Sequence, residues 1–142
     1  MAATHSERWL RAAQNDLETA RVLLENTQNN ACAFYAQQAA EKALKALLLS
    51  MNQTVWGHSN RDLLEVVEAL GATGVTDTIR RAARELDRHY IPSRYPDAYP
   101  SGVPADYYDS ETGQEALEWA REVVEYVISQ MPGASRSHGQ QT

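Results

Sequence analysis

Only one cysteine, Cys32, stands in this chain, so no internal disulfide is available to it. No apolar run approaches the ~20 residues of a membrane span. The segment from Met1 to Trp9 is polar and has no apolar core of the kind a secretory leader needs. A cytoplasmic, reducing setting with no membrane association is therefore expected. Basic charge is also scarce: 13 Lys and Arg face 19 Asp and Glu, giving a net charge of -6 and a pI near 5.2. That balance argues against a general nucleic-acid binder, although a local basic patch can still hold phosphate. A glycine-rich phosphate loop is missing. The four histidines, at 5, 58, 89 and 138, lack metal-ligand spacing, so neither a metal nor a cofactor is expected. No strand-like alternation, internal repeat or sustained heptad pattern is present.

What remains is helix-forming. With 142 residues and 43% hydrophobic content, the chain has enough for one domain with a real core. Five helices are legible. The first runs from about Glu7 to Asn26, opened by a Thr4/Glu7 capping box and carrying the stripe Trp9, Leu10, Ala13, Leu17, Ala20, Leu24. The second runs from about Asn30 to Met51, with Asn29 or Asn30 as cap. The third starts after Ser59 and stops at Gly71. The fourth, capped by Thr76, spans about Asp77 to Tyr90, before Pro92. The fifth follows a second capping box at Thr112 and ends near Pro132-Gly133. The predicted architecture is all-α: an antiparallel up-down bundle of five helices with a four-helix-bundle-like core. The domain covers 1–132, and the small, polar tail 133–142 is expected to be disordered.

The second helix carries the densest information. At ~100° per residue, Cys32, Ala36, Ala39, Ala40, Ala43, Leu44, Ala46 and Leu47 share a wide apolar arc, so this helix touches at least two neighbours. Gln38, Glu41, Lys42 and Lys45 gather on the opposite side. Glu41 and Lys45 form an i, i+4 pair. Asp16 lies at the edge of the first helix's stripe, half-buried, and needs a partner such as a second-helix lysine or His58. Asp16, Gln38, Glu41 and His58 thus form a candidate polar network, structural or ligand-binding.

Two further clusters bear chemistry. Arg80, Arg84 and Arg88 repeat at i, i+4, i+8 on the fourth helix, with Arg81 beside them. They form a phosphate-binding candidate or a solvated face balanced by local acids. Residues 91 to 109 then form a long loop with four prolines and four tyrosines, holding Arg94-Tyr95-Pro96-Asp97. In it Tyr95 offers a base-stacking plane and Arg94 a phosphate contact, or else the motif is architecture, with Arg94 tied to Asp97 or another buried acid and Tyr95 filling the bundle end. Lys42 and Lys45 offer a second phosphate-binding face.

Gln37-Gln38-Ala39-Ala40-Glu41-Lys42-Ala43-Leu44-Lys45-Ala46-Leu47-Leu48-Leu49 resembles the second helix of HEPN domains, small prokaryotic helical domains associated with nucleotides and RNA. Tyr90 to Ala98 resembles the Arg-Tyr-Pro-Asp loop of one HEPN branch, and the two motifs occur in family order across about residues 6 to 131. The resemblance implies a homodimer that binds nucleotide or RNA phosphate, or a partner, often paired with a minimal nucleotidyltransferase as a two-component or toxin–antitoxin system. It also implies an alternative, a metal-independent RNA-cleaving toxin. In that reading Arg84 stabilises phosphate charge and His89 transfers the proton at the ribose 2′-hydroxyl. On a continuous helix residues five apart diverge by ~140°, so the pair meets only if the helix unwinds or a second subunit completes it. A purely structural helical partner is a third reading.

Overall fold

The computed structural model describes residues 4–54 and 56–131, and the regular secondary structure among them is all helical. α1 is His5–Glu25, α2 Asn29–Ser50, α3 Asn60–Ala69, α4 Asp77–Asp87 and α5 Ser110–Gln130, with short 3₁₀ turns at Pro96–Ala98 and Pro104–Asp106. The tail expected to be disordered lies outside the described residues.

α2 is the central element. It packs along α1 and α5 and also meets α3 and α4. Its alanines explain why. Ala33, Ala36, Ala39, Ala40, Ala43 and Ala46 are all fully buried, and their small side chains let the flanking helices close in. Leu10, Leu44, Leu47, Leu48, Leu63 and Leu86 fill the space between, each worth roughly 1.5–3 kcal/mol of burial. Gly113 serves the same end at the start of α5. A Cβ there would lie 3.1 Å from Leu24 Cδ1 and 3.5 Å from Asn29.

The α1 and α3 caps follow the predicted residues. Thr4 and Glu7 form the reciprocal capping box of α1, and Ser59 accepts from the Asp62 N–H. Thr76 likewise caps α4. Three boundaries differ. α2 begins at Asn29 with Gln28 at the cap and no side-chain capping bond. Asn30 instead donates from Nδ2 to the Ser93 carbonyl at 3.1 Å, tying the long loop to the bundle. α5 is capped by Asp109, which accepts from Thr112 N at 2.8 Å, so Thr112 sits inside the first turn rather than at the cap. α4 stops at Asp87, three residues short of Tyr90. Asp87 has a tertiary job: its carboxylate accepts from the Asn60 and Arg61 N–H groups and the Ser59 hydroxyl, at 2.7, 3.0 and 3.1 Å. It thereby satisfies orphan donors of the α3 N-terminus, fixing the end of α4 against the start of α3.

Candidate functional site

Beyond Asp87 the chain continues in turns that aim the Arg-Tyr-Pro-Asp segment back at α2. Arg94 is enclosed. Its Nε and Nη2 donate to the Tyr90 carbonyl at 3.1 and 2.9 Å. Its guanidinium lies over three rings, Phe34 at 4.3 Å, Tyr95 at 4.7 Å and Tyr90 at 4.9 Å. Tyr90 in turn stacks on the imidazole of His58, with centroids 4.8 Å apart. Cation–π contact and the shared carbonyl account for the orientation of Arg94. Of the alternatives left open, an Arg94–Asp97 tie is not formed: Asp97 is exposed and makes no ion pair among the described residues. Tyr95 remains about half exposed, at 47%.

His89 is held on the other side of the same turn. Its Nδ1 lies 2.7 Å from the Tyr108 hydroxyl. Burial pushes the imidazole below its ordinary value, nearby Glu85 opposes that, and Arg88 adds to it. Burial likewise pushes the Tyr108 phenol up. The helix does end before His89, which the catalytic pairing requires within one chain, but Tyr108 holds the ring through Nδ1, and no contact joins it to Arg84 among the described residues.

The lowered His89 value carries a pH consequence. An acid–base group neutral in the fold but charged when unfolded makes the unfolded chain bind more protons. Its stabilising share is complete above the ordinary value of 6.5 and is lost as pH falls through the lowered folded value. Thermal unfolding at pH 7.5 and 5.5 should therefore show a smaller acid-side loss for His89→Gln than for the native chain. Equal losses would contradict the burial argument.

The arginines of α4 divide in two. Arg80 is saturated: it donates to Glu68 from Nε and Nη2 and to Asp77 from Nη1, at 3.2, 2.7 and 2.8 Å. Its guanidinium is thus shared between two carboxylates, one on α3 and one in the first turn of α4. Arg84 and Arg88 remain 56% and 70% exposed and share one carboxylate, that of Glu85, at 3.8 and 3.5 Å. Arg81 joins them on the same edge, its guanidinium 5.4 Å from the Trp119 ring centre.

The polar side of α2 is partly covered, with Gln37 and Glu41 buried and Gln38, Lys42 and Lys45 half-buried. Glu41 is buried and receives Lys45 Nζ at 3.0 Å, with His58 Nδ1 3.2 Å away. Gln37, fully buried, donates to the His58 carbonyl at 3.0 Å, and Gln38 donates to Gln37 Oε1 at 2.6 Å. Asp16 forms a separate unit with Lys42, whose Nζ lies 2.7 Å from Oδ2. That contact is close in charge but out of line for a hydrogen bond, leaving Oδ2 without a hydrogen-bond partner. Asp16, Glu41, Gln38 and His58 are thus not one network but two adjacent ones, and both α2 lysines already serve carboxylates. Gln37, Tyr90 and Tyr108 escaped sequence reasoning. Only the doubled Gln37-Gln38 hinted at one of them, because the partners of the two tyrosines are set by the fold.

The bundle's two described clefts lie elsewhere, along the N-terminal half of α1. One, of about 310 Å³, is lined by His5, Arg8, Trp9, Ala12 and Lys42. The other, about 240 Å³, shares His5 and Trp9 and runs on past Lys45 and Leu49 to Trp56. Among the described residues no group of His, Cys, Asp and Glu is placed to hold a metal ion, and no helix is long and apolar enough to cross a membrane.

Known proteins resemble this chain in sequence and fold. The model of the HEPN domain family matches residues 6–131. The Thermus thermophilus protein TT1696 is similar in structure, with a TM-score of 0.83 and 38% identity over 88% of this chain and 97% of that one. ST0689, described as an archaeal HEPN homologue, has a TM-score of 0.75 and 33% identity, covering 93% of this chain and all of that one. In sequence, the chain is 27% identical over 131 residues to a Methanocaldococcus jannaschii protein named "Putative toxin MJ1304", covering 87% of this chain and 86% of that protein.

Proposed function

The chain belongs to the HEPN domain family, and we propose that it acts as a homodimeric, non-cleaving module that binds RNA or nucleotide phosphate within a toxin–antitoxin system. The name of the Methanocaldococcus relative, "Putative toxin MJ1304", supports that setting. The pairing with a nucleotidyltransferase rests on the family resemblance alone. One observation carries the binding reading: Arg84 and Arg88 stand exposed with one carboxylate between them. The other candidate cations are engaged, Arg80 by Glu68 and Asp77, Lys42 by Asp16, Lys45 by Glu41, and Arg94 by Tyr90. Two guanidiniums on one helix edge suit the planar oxygens of phosphate. The exposed apolar groups of the long loop, Ile91, Tyr95, Val103 and Tyr107, supply a surface for a second copy.

The binding reading is preferred to the nuclease because, among the described residues, no contact brings Arg84 to His89 within one chain; the Arg84 guanidinium lies toward Glu85 instead. Incubating the purified protein with mixed RNA separates the two. The expected result is retention of full-length RNA by both the native chain and His89→Ala. Cleavage without added metal, lost in His89→Ala, would replace this reading with the ribonuclease.

A further inference from the structure

We infer that the cleft between Trp9 and Trp56 is a subsite for a single heteroaromatic ring, a nucleobase recognised by its faces and edge rather than by its phosphates. This goes beyond the arginine edge of α4 and uses none of its residues.

The walls argue for a flat ring. Trp56 is 88% exposed, an unusual state for the largest apolar side chain. Trp9 is half-buried, held edge-on by His5 at 6.5 Å between ring centres. The two indoles line one cleft of about 240 Å³ together with Leu49. That volume is smaller than the ~300–1,000 Å³ of pockets for drug-sized ligands. It suits one ring system rather than a whole dinucleotide. Gln53 and Thr54 stand at the same cleft and bring an amide and a hydroxyl, groups that can both donate and accept along a base edge. Aromatic faces with a few polar groups are the usual means of holding an unpaired base.

The charges argue against phosphate recognition here. Lys45 and Lys42 line the two connected clefts, but Glu41 and Asp16 already neutralise them, at 3.0 and 2.7 Å. A polyphosphate would have to compete with two buried carboxylates for those ammonium groups. Arg8 is the lining arginine or lysine without an ion-pair partner among the described residues, and it lies in the adjoining cleft. One guanidinium can donate to one phosphate. The site should therefore gain little from a second or third.

The three tryptophans provide the readout, as each gives its own indole N–H signal in a ¹⁵N-correlated NMR spectrum. Titration with adenosine, AMP and ATP should shift Trp9 and Trp56 while Trp119 stays in place. AMP should bind within about threefold of adenosine or modestly tighter, and ATP no more than about threefold tighter than AMP, since a stacked base supplies most of the affinity. Trp56→Ala should weaken AMP binding about tenfold or more, and its exposed position leaves the fold intact. Arg84→Ala/Arg88→Ala should leave these shifts unchanged, so failure here is distinct from failure of the arginine edge. Three results would overturn the inference: no shift of Trp9 or Trp56 at about 10 mM AMP, beyond the roughly millimolar range of weak binding; ATP binding more than tenfold tighter than AMP; or unchanged AMP affinity in Trp56→Ala.

Discussion

Glu41→Ala should be the most damaging single polar substitution in this domain, lowering the unfolding free energy by about 2–4 kcal/mol in urea denaturation. Glu41 is 5% exposed, and its carboxylate is the shared partner of Lys45 and His58. Removing it strands the Lys45 ammonium, whose side chain is only 16% exposed. It also strips an acceptor from the His58 ring, which stacks beneath Tyr90 and so supports the Arg94 turn. Breaking one member of a buried pair costs more than the pair itself contributes. Glu41→Gln, which keeps an acceptor of the same shape, should lose less. Replacing both partners, Glu41→Leu with Lys45→Met, should recover part of the deficit, because no charge is then left alone. A loss below ~0.5 kcal/mol for Glu41→Ala, the range of ordinary surface changes, would mean that Lys45 simply reaches water.

That buried carboxylate also marks where sequence reasoning stopped. Helix positions were legible because the apolar stripes of α1, α2 and α5 repeat with helical period and because Thr4, Ser59 and Thr76 sit at real caps. The polar side of α2 was legible as a candidate network, but periodicity reports amphipathicity and not what covers the polar half. In the fold the start of α3 lies over it, so Gln37, Glu41 and Lys45 form an internal cluster. The early end of α4 was hidden for a related reason. Arg88, His89 and Tyr90 have no strong aversion to helix, but Asp87 is held by the α3 backbone and the chain turns toward Pro92. The arginine stripe was visible as a spacing. Which member was free was not, because the carboxylate that takes Arg80 sits on α3, twelve residues away at Glu68. The Arg94 motif was recognisable as a loop word, while its three-ring enclosure depends on Phe34 from α2.

Arg84→Ala/Arg88→Ala should weaken single-stranded RNA binding by about 10–100-fold, from two lost charge-assisted contacts at an exposed face. The fold should tolerate the change. Both side chains are more than half exposed, and their ion pairs to Glu85 are long, at 3.8 and 3.5 Å. Exposed pairs of that kind contribute about 0–1 kcal/mol. By contrast, Arg80→Ala should leave RNA affinity nearly unchanged, because its donors already face Glu68 and Asp77.

The salt dependence of RNA binding tests the phosphate-binding account most directly. Affinity for a single-stranded RNA would be measured across about 50–200 mM salt for the native chain and for Arg84→Ala/Arg88→Ala, with thermal unfolding run in parallel. Each phosphate contact adds about 0.7 to the log–log slope on a single strand. The account predicts a native slope that flattens by about 1.4 in the double variant, with the two unfolding curves superimposed. An equal slope and equal affinity in both proteins would contradict it.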